Sequence, residues 1–190
     1  MKYYRLKNKE LLWGDYGDIL LAGMTTRLDR YDGKLQLERT GPFQPNLIIS
    51  GIQDLLVTDS FKHEIQRAGI SNLDFIPVIK KHISLVDWTT WDLSAEEPQL
   101  CPESGEPEGY ILELPHSVEV ANQMENVWEI LVPEHKDVKD EQDIFSGDIS
   151  LEIVKVNGWI VVTEKMRVWL EENQADWIEF EEPKTEAVAS

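Results

Sequence analysis

Cations, cysteines and long apolar runs are what this sequence has least of. Its 190 residues carry 18 Lys and Arg against 36 Asp and Glu, a formal net charge of −18. A surface so negative repels phosphate at long range, so neither nucleic acid nor an anionic membrane is an expected partner. Cys101 is the single cysteine, in Cys101-Pro102-Glu103-Ser104-Gly105. One thiol closes no intrachain disulfide and builds no cysteine zinc site, and an acidic turn is the wrong setting for a reactive thiolate. No apolar run approaches the roughly 18 residues of a membrane span. The basic start, Met1-Lys2-Tyr3-Tyr4-Arg5-Leu6-Lys7, leads into no apolar leader core and reads as a soluble, cytoplasmic protein.

Catalytic signatures are equally scarce. His63, His82, His116 and His135 show no metal-ligand spacing, and there is no HExxH, GxSxG, phosphate loop or GxGxxG. The acidic run from Glu134 to Asp143 lacks the alternating Asp/Asn positions, central Gly and terminal Glu of an EF-hand. The expectation is a protein that is not an enzyme and holds no cofactor or metal. The abundance of Asp and Glu leaves a carboxylate-dependent, metal-assisted hydrolase as the alternative, because an acid–base pair need not be close in sequence. A non-enzymatic adaptor is the third reading.

Hydrophobic residues make up 42% of the chain and include seven Trp, too apolar for an acidic disordered chain. The first 95 residues hold equal numbers of acidic and basic side chains, so the whole excess of −18 lies in residues 96–190. Two solvated loops concentrate it: one with Glu103, Glu106 and Glu108, the other with Glu134, Asp137, Asp140, Glu141 and Asp143. These are the candidate partner-binding carboxylates. Trp88 and Trp91, in Asp87-Trp88-Thr89-Thr90-Trp91-Asp92, join them as candidate aromatic anchors, against the competing reading of a core edge.

The expected class is α+β, a mixed or antiparallel sheet with short helices. It forms one domain over 1–183, or two lobes divided at residue 95, with a flexible tail at 184–190. Lys34–Glu38 alternates like an exposed strand after the turn Tyr31-Asp32-Gly33-Lys34. Asp54–Val57 reads as a strand, Thr58 and Asp59 as a helix cap, Phe61, Ile65 and Ala68 as one helix face, and Leu73–Val78 as a returning strand. A like unit follows: Trp159–Val162, a start at Thr163-Glu164, Met166 and Leu170 on one face, and Trp177–Phe180. Aligning Leu55–Pro77 with Ile160–Glu182 gives three identities, so the shared order of elements carries the repeat. Tyr110–Leu114 reads as a strand, Ser117 as the cap of a helix reaching Val127 and Trp128, with Trp128–Val132 alternatively a strand into Pro133, and Ile149–Val156 as a strand turning at Asn157-Gly158.

The piece Ile160-Val161-Val162-Thr163-Glu164-Lys165-Met166, followed by Phe180 and Pro183, resembles the immunity proteins of bacterial polymorphic toxin systems, of the myxobacterial type. Met1-Lys2-Tyr3-Tyr4 adds to the likeness, which covers mainly residues 50–80 and 150–183. Thr163 stands where that family has Ser in its strand-to-helix turn, which keeps the capping hydroxyl. The resemblance implies a protein encoded beside a toxin, which it binds and neutralises; the acidic charge makes a basic effector the expected partner, and exposed tryptophans leave a monomer or a homodimer open. It brings no catalytic residues with it.

Overall fold

The computed structural model describes residues 2–70, 73–135, 151–173 and 175–182. Strand β1 (Tyr3–Asn8) and helix α1 (Asp15–Ala22) precede a hairpin of β2 (Met24–Tyr31) and β3 (Lys34–Gly41). A second hairpin, β4 (Leu47–Ser50) and β5 (Asp54–Thr58), runs into α2 (Asp59–Arg67) and then β6 (Asp74–Pro77). After β7 (Ile79–Leu85) come a 3-10 turn at Trp88–Thr90, a long loop, and the short helices α3 (Gly109–Leu112) and α4 (Val118–Gln123). Strand β8 (Val127–Leu131) and the two-residue β9 (Glu134–His135) follow. A third hairpin, β10 (Ile153–Val156) and β11 (Trp159–Thr163), runs into α5 (Glu164–Glu172) and β12 (Ile178–Glu181). The fold is α+β, in three mostly antiparallel sheets ordered β12-β1-β11-β10-β9, β2-β3-β7 and β4-β5-β8-β6.

The two strand–helix–strand units are alike beyond their sequence order. In each, a strand from elsewhere in the chain lies between the two strands of the unit and runs antiparallel to both. That strand is β8 in the first unit and β1 in the second. The registers correspond residue for residue: Val57 faces Trp128 and Phe75 faces Ile130, while Val162 faces Tyr4 and Phe180 faces Leu6. Thr58 accepts the Phe61 N–H at 3.3 Å, and Thr163 accepts the Met166 N–H at 3.2 Å. Each hydroxyl satisfies an otherwise orphaned helix donor, a contribution of about 1 kcal/mol apiece. Equivalent residues then fill one shared core: Leu55 and Ile160, Val57 and Val162, Phe61 and Met166, Ile65 and Leu170. That core draws on both sides of the charge boundary at residue 95.

The inserted strands also stitch the units together. Beyond β8 the chain crosses to the other unit, where the Pro133 carbonyl accepts the Lys155 N–H at 2.7 Å and β9 pairs with β10. At the end of β1 the converse happens with a side chain. The Asn8 amide donates to the Ile49 carbonyl at 2.7 Å and accepts the Ile49 N–H at 2.9 Å, standing in for a strand beside β4. Asn8→Ala is therefore expected to lower unfolding stability by about 2 kcal/mol, read as a lower urea midpoint with an unchanged slope.

Each unit carries the same clamp at the start of its helix. Lys62 lies 3.2 Å above the Trp128 ring and 3.3 Å from Asp59, which accepts the Trp128 indole N–H at 2.7 Å. In the second unit Arg167 lies 4.8 Å from the Tyr4 ring and 2.8 Å from Glu164, which is also bonded to the Tyr4 hydroxyl. The Trp128 N–H, then Lys62, holds the Asp59 carboxyl below its ordinary value; Arg167, then Tyr4, does the same for Glu164. A carboxyl depressed in the folded state adds stability above its unfolded pKa and loses it as pH falls through the folded one. The chain should thus lose stability steadily below about pH 4. In circular dichroism, Asp59→Asn/Glu164→Gln should start less stable at neutral pH and lose less on acidification.

The sheet β2-β3-β7 and α1 cover the outer face of the first unit, where Leu35, Leu37, Leu20 and Leu21 meet Ile48, Leu56 and Val127. Burial here corrects one expectation: the alternating strand at Lys34–Glu38 is not exposed but central, with Leu35 and Leu37 buried between β2 and β7. Its turn is as expected, with Asp32 and Gly33 at φ 52° and 76°. Asn157 and Gly158, at φ 48° and 85°, make the expected hairpin turn. Tyr110–Leu114 is not a strand: it begins inside the single helical turn α3, where the N–H groups of Tyr110–Glu113 bond back to the carbonyls of Pro107–Gly109. The helix capped by Ser117 ends at Gln123, and Val127 and Trp128 belong to β8, where both are ladder partners of β5. The tail at 184–190 and the start of the Ile149–Val156 strand lie outside the described residues.

Candidate binding surface

The loop between Trp91 and Gly109 carries Asp92 and five glutamates with no Lys or Arg, and is pinned at several points by distant side chains. The Trp13 indole donates to the Ala95 carbonyl at 3.0 Å, and the Tyr16 hydroxyl to the Gly105 carbonyl at 2.6 Å. The buried Tyr110 donates its hydroxyl to the Leu100 carbonyl. Glu113 accepts the backbone N–H groups of Glu103 at 2.9 Å and Ser104 at 3.1 Å, and the Ser104 hydroxyl bond leads the causes that hold its carboxyl below the ordinary value. Gly109 is needed at the foot of the loop, since a Cβ there would lie 2.4 Å from Pro102 Cβ. Tyr and Trp suit this work, because each buries a ring and keeps one polar atom for the backbone.

The carboxylates on this scaffold are mostly uncompensated. From residue 82 to residue 135 the chain has 12 Asp and Glu and no Lys or Arg. Glu103 and Glu106 are exposed and Glu108 is half-buried. Among the described residues, none of these three, nor Glu96 or Glu97, enters an ion pair with Lys or Arg; the recorded pairs use cations from 2 to 81 and 165 to 167. Glu134 is exposed in β9, on a different element from the loop. Asp137, Asp140, Glu141 and Asp143 lie outside the described residues.

The two tryptophans of the candidate surface part company. Trp88 is fully buried, edge-on to Phe43 at 5.1 Å and Trp177 at 5.5 Å. That corrects its place among the anchors: it is a core residue, out of reach of a partner. Trp91 is half-buried between Trp13 at 5.8 Å and Tyr110 at 6.1 Å, and supports the loop from beneath. Trp13, Tyr16 and Tyr110 were missed as loop anchors. Their only sequence signal is residue type, and their partners are 10 to 89 positions away.

A concave feature lies where the three sheets meet. It is a cleft of about 620 Å³ lined by Arg30, Gln53, Asp54, Glu129, Glu134 and Lys155 among others. Arg30 grips the buried Glu129 with two hydrogen bonds of 2.9 and 2.7 Å. The hydrogen bond to Glu129 leads the causes that raise the Arg30 pKa. Asp54, 1% exposed, accepts the Thr25 hydroxyl at 2.7 Å. Lys155 donates to the Gln53 carbonyl at 3.2 Å. His63, His82 and His116 lie elsewhere and bond to backbone: His63 to the Asp59 carbonyl, His82 to the Leu114 carbonyl, and His116 to the Ile83 N–H. Among the described residues no three His, Cys, Asp or Glu side chains gather as metal ligands, and no helix is long and apolar enough to cross a membrane. No family model, characterised protein or solved structure matches the chain.

Proposed function

We propose that this chain is an immunity-type binding protein. It holds a basic cognate toxin in the cytoplasm of the producing cell and covers the toxin's substrate-binding surface, acting by occupation rather than by chemistry. The observation that carries this reading is the cation-free stretch from 82 to 135, with its loop carboxylates unpaired on a scaffold fixed by Trp13, Tyr16, Tyr110 and Glu113. Carboxylates presented this way take the place of phosphates toward the Arg and Lys of an enzyme that acts on nucleic acid or nucleotides. Pre-ordering the loop also removes an entropic penalty from binding. The sequence likeness around Val162-Thr163-Glu164 adds the immunity class to the binding role.

The test is co-expression with the product of the neighbouring gene. The expected result is survival of the producing cells and co-purification of the two chains, with an association rate that falls as salt rises. Failure both to protect and to bind sinks the proposal.

A further inference from the structure

We propose that the slot between β11 and β12, filled here by β1, is an interface for a second copy of this chain, and that two molecules pair by exchanging β1. The inference goes beyond the toxin-binding reading and does not rest on it. It starts from the extent of the repeat, because the inserted strands β8 and β1 are themselves equivalent. Just before each, a carbonyl caps the helix of the unit that the strand enters. Asn126 accepts the Asp59 N–H at 2.9 Å, and Lys2 accepts the Glu164 N–H at 3.0 Å. Trp128 and Tyr4 follow as the clamp rings, and Ile130 and Leu6 then enter the shared core. Each strand ends on the hairpin of the other unit, through Pro133 beside β10 and Asn8 beside β4. The repeat is therefore a strand, a hairpin, a helix and a closing strand, with α1, β2 and β3 inserted in the first one. Each repeat lends its leading strand to the other. Two chains can make the same exchange with the same contacts, a low-cost route to a dimer.

Tether and charge single out β1. Strand β8 is held on both sides, by Glu125 on Ser60 before it and by β9 on β10 after it. Strand β1 hydrogen-bonds to β11, β12 and, through Asn8, to β4, and all of these contacts re-form when the strand comes from a second copy. The link onward is short. The Lys9 N–H still bonds to the Trp177 carbonyl at 3.0 Å, in the slot. Leu11 already belongs to α1: its carbonyl accepts the Gly14 N–H, and a Cβ on Gly17 would lie 2.6 Å from the Leu11 Cβ. Only the exposed Glu10 lies between. A short hinge between two anchored elements is the setting in which a strand finds a neighbour's slot as readily as its own. Residues 1–9 carry Lys2, Arg5, Lys7 and Lys9 and no Asp or Glu, whereas residues 151–182 carry eight Asp and Glu against three Lys and Arg. Lys2 meets Glu182 and Lys7 meets Glu179, each at 3.6 Å. On a molecule of net charge −18, this basic strand is a part of a second copy that the slot attracts rather than repels.

The experiment uses the full chain, refolded from urea over a range of concentrations and weighed by light scattering after size exclusion. A dimer that grows with refolding concentration is expected. Deleting Glu10 should raise its association constant by about tenfold or more, and inserting five Gly and Ser residues after Glu10 should lower it as much, because link length sets how well β1 reaches its own slot. A second measurement keeps the link at its natural length. Lys7 and Glu179 face each other across the β1–β12 ladder, at a spacing that a disulfide spans. One chain carries Lys7→Cys and a differently tagged chain Glu179→Cys, both with Cys101→Ser, so each has a single thiol. Co-refolding and oxidation should join the two kinds of chain in clear excess over like-with-like pairs. A chain that stays monomeric with the natural and the shortened link, a dimer indifferent to link length, or disulfides without that excess would each overturn the proposal. Neither measurement involves the toxin, so their failure leaves the immunity reading standing.

Discussion

Arg30→Ala is expected to cost about 3 kcal/mol of unfolding stability, and adding Glu129→Met should restore most of it. Glu129 is 4% exposed and faces Leu56 across the ladder between β5 and β8, in the middle of its sheet. Its two carboxylate oxygens are both met by the Arg30 guanidinium. Removing the guanidinium strands a buried negative charge, whose desolvation is then uncompensated. Methionine fills a similar volume with no charge to desolvate, so the double variant loses the penalty along with the pair. Urea denaturation of both single variants and the double variant gives the coupling energy directly. If Arg30→Ala were as stable as the parent chain, Glu129 would have to find solvent or a new donor, and the pair would count only as a surface contact.

Converting Glu96, Glu97, Glu103, Glu106 and Glu108 together to glutamine should slow association with a basic toxin by roughly 10- to 100-fold at low salt. The same variant should unfold at an unchanged or higher urea concentration. None of the five carboxylates makes an ion pair among the described residues, and the bonds that hold the loop come from Trp13, Tyr16, Tyr110 and Glu113. Charge and scaffold are thus separable. The change acts on the encounter rate and its salt dependence more than on dissociation, which is set by groups desolvated at the contact. Stopped-flow mixing across a range of salt concentrations reads both quantities. An association rate that ignores both the substitutions and the salt would leave the acidity with a solubility role alone.

Short-range chemistry was legible in the sequence. The caps at Thr58, Ser117 and Thr163, the turns at Asp32-Gly33 and Asn157-Gly158, and the apolar faces of α2 and α5 all depend on residues within a few positions of one another. So did the charge imbalance, which is a count. Misreadings came where burial overrides local preference. Tyr110–Leu114 has strand-like composition, but a single helical turn places Tyr110 in the core with its hydroxyl on Leu100. Trp88 lies in a polar stretch that suggests a surface, yet Phe43 and Trp177 enclose it.

By itself the sequence determined an acidic α+β chain with two related strand–helix–strand units and no recognised catalytic motif. Only the tertiary structure decided which strand completes each unit, since β1 and β8 come from opposite directions along the chain. It also decided which aromatics support the acidic loop and that Gln53 lines a cleft between three sheets. Caps, turns and periodicity act over one helical turn or one hairpin. Strand insertion, loop anchoring and cleft formation are settled by packing between segments tens of residues apart, where no local pattern records the partner.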